Sequence, residues 1–342
     1  MKQITKVLIL IMALCLSSLG QAADLSKALI EGAKKEGKLV WWGTDSPPIA
    51  NKVIAAFTKK YPFIKVDYTK GIGTDFGDRI MMEADSGIGT VDFVNGASSH
   101  LNKMLERGLL KNIGDMPFMK LWPNGAKDPK GYWFGMTPTY WILAYNSKLI
   151  SAAEVPKSYD EITNPKWKGQ FAIEERPDHW FLGLWLAWGP EKATRTLEKV
   201  IANKPFLGKG YSATGELLMA GQFKFTIPLQ DYKIVQFREK KAPIDWVPLH
   251  PTEIDGQPAQ IMKKAPNPHT AELFIRWLTS REGQESYCKA SAKASFHPDL
   301  RAIAPLPIPK DLQVVYHTPE SYKLLGPGGP VAETYNRLVH GM

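Results

Sequence analysis

Three polar residues in a row, Gln230, Asp231 and Tyr232, follow the strand-like run Phe225–Leu229. An amide, a carboxyl group and a phenol can hydrogen-bond a polar solute, and the two oxygen acids could also ligate a hard metal ion. Asp and Gln also suit ordinary turns, so a simple strand end is the alternative interpretation. The segment is a candidate binding site whose ligand is not determined by these three residues alone.

Other polar loops occur at the ends of other predicted strands. Because ligands of open α/β sheets bind in the crevice outside the carboxyl ends of the strands, we expect these loops to meet. Tyr140 and Trp141 are candidates to stack on a ligand, with core packing as the alternative. The other residues predicted to contact a ligand are Thr44, Asp45, Ser46, Asn95, Ser98, Arg176, Asp178, Ser212 and Thr214.

Two of these loops suggest binding of an anion. Ser212 and Thr214 are predicted to cap a short helix, and a helix N-terminus that points into a cleft attracts negative charge. Arg176 could pair with a carboxylate or phosphate of the ligand. It could equally neutralise its neighbours Glu174 or Glu175, and these two interpretations stay open.

Motifs of common enzymes are absent from the sequence, which has no G-x-S-x-G, H-E-x-x-H, G-x-x-x-x-G-K-[ST] or C-x-x-C. The seven histidines are scattered without metal-ligand spacing. We therefore predict a binding protein with no cofactor, not an enzyme. A secreted hydrolase or transferase is the alternative from another class, and Asp45, Asp231 and His179 would be its acid-base candidates. A sensor or adaptor subunit ranks last, because no signalling segment is visible.

The order of predicted elements defines an α/β fold. Strand, loop and helix alternate through the first half, and the alternation restarts after the strand-like halves around Thr137-Pro138. At 342 residues the chain exceeds one ordinary core. We predict two doubly wound domains, residues 24–137 with 251–342 and residues 138–250. The helices after residue 265, including the one at 330–339, are expected to cover the first domain.

The N-terminus has the pattern of a secretory signal. Lys2 and Lys6 precede the apolar run Val7–Leu19, and small residues follow it, so residues 1–23 are predicted to be a cleaved signal peptide. The mature protein is expected to be periplasmic, soluble and monomeric. The formal net charge of the whole chain is +9. Because its lysines and arginines form no polybasic block, we predict no nucleic-acid partner.

Four motifs carry a family resemblance that covers nearly the whole mature chain: "KLVWWG", "ERGLL", "NPKWKGQFAI" and "AELFIRWLTSREGQ". Together they resemble the bacterial extracellular solute-binding proteins of ABC importers, and most of all the ferric-iron-binding branch. The resemblance implies a type II periplasmic-binding-protein fold with a two-stranded hinge. It also implies ligand capture by hinge closure and an ABC permease in the inner membrane as partner.

One departure from the ferric branch affects the ligand prediction. That branch binds its metal with a Tyr-Tyr pair, whereas this chain has Gln230-Asp231-Tyr232, so only Tyr232 matches. Ferric iron with an exogenous anion remains one alternative, and Tyr232 would then be its metal ligand. A small polar or anionic organic solute is the other, and the incomplete pair favours it.

Overall fold

The computed structural model describes residues 27–71, 73–96, 98–303, 305–309 and 311–341. The predicted signal peptide, residues 1–23, lies outside them, as does the side chain of Ser98. No helix in these ranges is both long enough and apolar enough to cross a bilayer.

The strands are β1 (Lys38–Gly43), β2 (Lys65–Lys70), β3 (Phe93–Asn95), β4 (Phe134–Gly135), β5 (Thr139–Asn146), β6 (Phe171–Glu174), β7 (Phe206–Gly208), β8 (Phe225–Gln230), β9 (Ile244–Val247), β10 (Thr252–Asp255), β11 (Pro258–Ile261) and β12 (Val314–Tyr316). The helices are α1 (27–36), α2 (Pro47–Lys60), α3 (Gly73–Asp85), α4 (Ser98–Glu106), α5 (Tyr159–Ile162), α6 (His179–Trp188), α7 (Pro190–Ala202), α8 (Tyr211–Met219), α9 (Asp231–Glu239), α10 (Pro268–Leu278), α11 (Arg281–Ser291), α12 (Pro319–Leu325) and α13 (Pro330–His340). Short 3₁₀ helices lie at Pro117–Lys120, Asn124–Ala126, Pro165–Trp167 and Pro298–Ile303.

Two sheets organise these elements. The first has the order β2-β1-β3-β11-β4, and the second has the order β12-β10-β5-β8-β6-β7 with β9 paired to β5. Strand β1 is parallel to β2 and β3, and β6 is parallel to β7 and β8, whereas β5 and β11 run antiparallel to their neighbours. The predicted α/β fold with two doubly wound sheets is confirmed, and both sheets are mixed.

The strand β1 shows why the first sheet is covered on both faces. Leu39 and Trp41 pack into one core with Phe274 of α10, while Trp42 packs on the opposite face with Phe76 of α3. Side chains of a strand alternate between faces, so a parallel strand with apolar residues at both sets of positions needs a layer of helices on each side. This packing fixes the carboxyl end of β1 and the loop that follows it.

The chain first passes between the sheets through two adjacent antiparallel segments, and it crosses a third time between α11 and β12. It leaves the first sheet after Gly135 and returns before Pro258, and these two residues pair across the ladder. Gly135 and Gly256 approach so closely that a Cβ atom on Gly135 would lie 2.8 Å from the Gly256 carbonyl oxygen. Gln257, in the second segment, has a left-handed φ of 45°. The predicted two-stranded hinge is therefore present.

The C-terminal helices divide between the sheets. Helices α10 and α11 pack on the first core through residues such as Phe274 and Tyr287, as predicted. The prediction was wrong for α13, because Val331 and Tyr335 pack in the core of the second sheet. The reason is β12, a short strand that pairs with β10 and brings the C-terminal segment to the second sheet. The domain boundaries 24–137 with 251–342 and 138–250 stay a prediction, although β10, β12 and α13 associate with the second sheet.

Candidate functional site: a cleft between the two sheets

A cleft of about 500 Å³ opens where the loops of the two sheets face each other. Six of the predicted site residues line it: Thr44, Asp45, Ser46, Trp141, Gln230 and Tyr232. The other lining residues are Ile49, Gly96, Thr139, Lys233, Gln236, Asp255, Gln257, Ser291 and Lys293. We call the side formed by the β1 loop and the end of α11 the first wall, and the side formed by β5, β8 and α9 the second wall.

The first wall is built around the buried carboxylate of Asp45. Its Oδ1 accepts a hydrogen bond from the Tyr287 hydroxyl (2.7 Å), and its Oδ2 accepts one from the Asn95 side-chain amide (2.9 Å). Asn95 in turn accepts from the Trp41 indole N–H (2.6 Å) and is fully buried. Asn95 therefore lies behind the cleft and holds Asp45 in place. A Cβ atom on Gly43 would lie 2.1 Å from the Asn95 side-chain oxygen, which explains the glycine at the end of β1.

The second wall begins with Trp141 and Gln230, which are directly opposite each other on β5 and β8. Trp141 is 5% exposed, and its ring stacks on His179 at a centroid distance of 4.4 Å. The His179 ring stacks on His317 at 4.9 Å, and their Nδ1 atoms lie 3.0 Å apart. Among the described residues, neither the Trp141 indole N–H nor the Gln230 side-chain carbonyl has a hydrogen-bond partner.

Two ammonium groups flank the Tyr232 ring in the cleft. Lys293 Nζ lies 5.2 Å from the ring centroid and donates to the Gln257 side-chain carbonyl (2.9 Å). Lys233 Nζ lies 5.6 Å from the same centroid and donates to the Ser212 hydroxyl (2.9 Å). Within the described ranges neither ammonium forms an ion pair with a carboxylate. Burial lowers the pKa of Lys233, and the charge of Glu216, which is not in ion-pair contact with it, only partly offsets this effect.

The residues at the start of α9 have divided roles. The carboxyl group of Asp231 is buried and accepts the Tyr140 backbone N–H (3.1 Å), and burial raises its pKa to about 7. Tyr232 lines the cleft, and burial together with the charge of Asp231 raises its pKa to about 12. Tyr140 packs against the cores on the other face of β5 and is not among the cleft-lining residues.

Arg176 and Asp178, in the loop that follows β6, are not among the residues that line the cleft. Arg176 donates through Nε to Glu174 (2.7 Å), so the structure shows the local ion pair. Asp178 is completely buried, where it accepts a hydrogen bond from the Tyr211 hydroxyl (3.3 Å). Burial and the nearby charge of Glu174 raise the pKa of Asp178 to about 8. Asp178 thus belongs to the packing behind the wall, whereas the Arg176 side chain is largely exposed outside the cleft lining.

The anion site predicted at the start of α8 is already occupied by a carboxylate of the protein, that of Glu174. The prediction that Ser212 and Thr214 cap α8 was wrong, because Gly210 is at the N-cap and the Thr214 hydroxyl donates back to the Gly210 carbonyl (3.0 Å). Glu174 accepts the Gly210 backbone N–H (3.0 Å) at that helix start. Helix α2 begins with Pro47 and Pro48, which have no N–H to offer.

Sequence reasoning missed the two lysines and the hinge glutamine. Lys293 comes from the turn after α11, about 60 residues from Tyr232 along the chain, and only the fold brings them together. Gln257 was hidden in a segment without a motif. A signal did exist for Lys233, because it directly follows Tyr232 in a segment already singled out.

No group of three or more His, Cys, Asp or Glu side chains in the described ranges is placed to hold a metal ion. The acid-base candidates of the enzyme alternative, Asp45, Asp231 and His179, each make separate structural contacts. Asp45 and Asp231 accept hydrogen bonds from structural donors, and burial lowers the pKa of His179 to about 4 within its aromatic stack. No nucleophile and base are paired among these three.

Comparison with known proteins agrees with this architecture. The family model of the bacterial extracellular solute-binding proteins matches residues 52–310. The Fe(3+)-binding periplasmic protein of Serratia marcescens is 22% identical over 288 residues, which are 80% of this chain and 84% of that protein.

Solved structures show the same fold. Iron-bound HitA from Pseudomonas aeruginosa superposes with a TM-score of 0.71 at 20% identity, covering 89% of this chain and 99% of that one. The periplasmic binding protein AfuA from Actinobacillus pleuropneumoniae, with exogenous fructose-6-phosphate bound, has a TM-score of 0.65 at 19% identity, with 89% and 97% covered. The resemblance to solute-binding components of ABC importers is confirmed, and the chain belongs to the bacterial extracellular solute-binding proteins.

Proposed function

We propose that this protein is the periplasmic component of an ABC importer that captures a small organic anion in the cleft between its two sheets. The observation that carries the proposal is the pair of ammonium groups, Lys233 and Lys293, beside Tyr232, which form no ion pair with any carboxylate in the part of the chain that the structure describes. A half-buried cation that lacks an anion is stabilised by a ligand that supplies one.

The arrangement of charges favours a ligand with negative charge. The carboxylate of Asp45 already receives hydrogen bonds from Tyr287 and Asn95, and Asp255 accepts the Gln257 backbone N–H (3.0 Å). The lysines, in contrast, donate only to neutral oxygens and keep donor capacity, because an ammonium has three N–H groups. Micromolar affinity corresponds to about 8 kcal/mol, which two charge-assisted hydrogen bonds and aromatic packing can provide.

Hinge closure follows from where these groups originate. Lys293 belongs to the first wall and Tyr232 to the second, so an anion placed between them contacts both sides of the cleft. A ligand favours the closed form only through contacts it gains there, and an anion that joins the walls provides them. The loaded protein would then deliver its solute, as a monomer, to a permease in the inner membrane.

Ferric iron is the second candidate, and the names of relatives such as the Serratia marcescens protein favour it. Tyr232 would be a metal ligand in that case. Its raised pKa and the two nearby ammonium groups oppose this role, since a trivalent cation needs several anionic oxygens. Asp45 and Asp231 are engaged elsewhere, so the organic anion is the better fit.

Catalysis is not part of the proposal. The family consists of binding proteins, and binding with release is sufficient for import. The cleft's carboxylates act as acceptors within the wall, and His179 is enclosed between Trp141 and His317.

The test is calorimetric titration of the mature protein with citrate, gluconate and glycerol 3-phosphate, and with sorbitol and lysine as neutral and cationic probes. We expect at least one of the three anions to bind, and we expect neither sorbitol nor lysine to bind. Lys293→Gln should weaken the anion at least tenfold. Lys289→Gln is the matched control, because Lys289 is an exposed lysine of α11 that pairs with Glu285. Binding of sorbitol or lysine alone, or equal anion affinity in both variants, would refute the proposal.

A further inference from the structure

Two buried polar atoms of the second wall have no hydrogen-bond partner among the residues that the structure describes. They are the indole N–H of Trp141 and the side-chain carbonyl of Gln230, and these two residues are opposite each other on β5 and β8 and are both lining residues of the cleft. From this pair we infer that the ligand is a hydroxylated organic anion, with a hydroxyl group that binds Trp141 and Gln230. This inference rests on the proposed function and specifies its ligand class.

A hydroxyl group complements this pair because it both accepts and donates. It can accept from the indole N–H and donate to the amide carbonyl, whereas a carboxylate only accepts and an ammonium only donates. An apolar group at this place would leave both protein atoms without hydrogen bonds, which is unfavourable for buried polar groups.

The Trp141 ring is held in place by its neighbours. It is stacked on His179 with only 9° between the ring planes, and Tyr211 packs against it at a centroid distance of 4.7 Å. Turning the indole to find another acceptor would break both contacts. A preorganised donor of this kind rewards a ligand that meets it and rejects one that does not.

The hydroxyl position lies next to the cationic one. Gln230 is the N-cap residue of α9, and Tyr232 and Lys233 follow in its first turn. Because Gln230, Lys233 and Lys293 all line the same cleft, a single small molecule can carry both a hydroxyl group and an anionic group to them. Hydroxy acids and phosphorylated polyols both have this chemistry.

The test compares matched pairs of anions that differ in their hydroxyl groups. The pairs are gluconate with hexanoate, malate with succinate, and glycerol 3-phosphate with propyl phosphate, each titrated into the wild-type mature protein. We expect at least one hydroxylated member to bind ten times more tightly than its partner, which corresponds to about 1.4 kcal/mol. The carboxylate and phosphate pairs show which anionic group the cleft prefers.

Variants assign the preference to the two residues. Trp141→Phe keeps an aromatic ring and removes the N–H, and Gln230→Met keeps the length of the side chain and removes the amide. In each variant, the ratio of the dissociation constants of the two anions in a pair should fall close to one. Lys293→Gln should instead weaken the binding of both anions and leave their ratio unchanged. Trp188→Phe is the matched control, since Trp188 packs against the core of the second sheet away from the cleft.

The outcomes separate the inference from the proposed function. Anions that bind with equal affinity with and without hydroxyl groups would overturn the inference and leave the proposed function intact. A preference that survives in both folded variants would remove Trp141 and Gln230 as the hydroxyl site. If no anion of the six binds, the proposed function fails and the inference fails with it.

Discussion

The two walls of the cleft differ in how far their polar groups are satisfied. In the first wall the Asp45 carboxylate receives hydrogen bonds on both oxygens, and its partner Asn95 is bonded to Trp41 behind it. In the second wall, Trp141 and Gln230 have polar atoms without partners, and Lys233 donates only to a hydroxyl group. Apart from Lys293, the polar groups named in the first wall are hydrogen-bonded without a ligand, whereas those of the second wall are not.

This difference indicates that the two walls contribute differently to stability and to ligand affinity. A satisfied network gives stability and a fixed shape, while unsatisfied donors and cations gain most from a ligand. Lys293 connects the two, because it is bonded to Gln257 of the hinge and faces Tyr232 of the second wall. Mutations in the Asp45 network of the first wall should therefore change mainly stability, whereas mutations of Lys293 and of the second wall should change mainly affinity.

The largest effect is expected from Asp45→Ala. The substitution would leave the Asn95 amide buried without an acceptor and the Tyr287 hydroxyl with only its longer hydrogen bond to Gln257 (3.3 Å), and each lost acceptor costs about 1–3 kcal/mol. We expect the free energy of unfolding to fall by about 4 kcal/mol in urea denaturation. Asp115→Ala, at an exposed position, is the control. A loss below about 1 kcal/mol would show that the first wall is not a structural network.

The second-largest effect is expected on the pH dependence of stability, through the buried Asp178 behind the second wall. The raised pKa of Asp178, about 8, means that the folded protein keeps a proton that the unfolded chain releases above about pH 4. Asp178 thus lowers stability as the pH rises from about 4 to 8. Relative to wild type, Asp178→Asn should gain up to about 1.4 kcal/mol per pH unit in this window, or roughly 2.5 kcal/mol between pH 5 and pH 7.

The measurement for Asp178 is urea unfolding of both proteins at several pH values, with Asp115→Asn as the control. The tyrosine that contacts Asp178 also packs on Trp141, so the result reports on the wall itself. A stability difference that does not change with pH would show that Asp178 is ionised in the folded protein.

A smaller effect is expected from Tyr232→Phe. The ring that faces both ammonium groups stays, and a neutral hydroxyl contributes at most one hydrogen bond, worth about 1 kcal/mol. We therefore expect the affinity for the organic anion to change less than tenfold in calorimetric titration. Ferric citrate, titrated in parallel, provides the contrast. High-affinity iron binding by the wild type that is abolished in Tyr232→Phe would support the ferric alternative.

The smallest effect is expected from Arg176→Ala. The Arg176 side chain is largely exposed and paired with Glu174, outside the cleft lining. The dissociation constant of the anion should stay within twofold of wild type. Tenfold weaker binding of the anion by this variant would show that Arg176 contacts the ligand after closure and that the second wall includes Arg176.

The sequence predicted the elements well because their periodicity is local. The loops at Thr44–Ser46 and Gln230–Tyr232 were placed at strand ends, and both line the cleft. The helix that starts at Asp231 was not predicted, since a turn and a helix start share the same polar residues. Helix α13 was assigned to the wrong sheet because β12 is only three residues long.

The candidate site was harder to predict because it depends on contacts between distant segments. The sequence offered Arg176 as the cation for an anionic ligand, yet its neighbour Glu174 takes that charge. Lys293, one of the two lysines that line the cleft, is one lysine among many in the sequence. Only its position beside Tyr232 distinguishes it. Charge type is visible in a sequence, but pairing is decided by the fold.

The central claim is that the cleft holds a small organic anion through its unpaired lysines. It is tested most directly by native mass spectrometry of the mature protein, purified from periplasm without refolding or chelator, beside Lys293→Gln and the Lys289→Gln control. The account predicts an organic adduct, acidic after release, on the wild type and the control and its loss from Lys293→Gln. An iron-sized adduct that persists in all three proteins would contradict it.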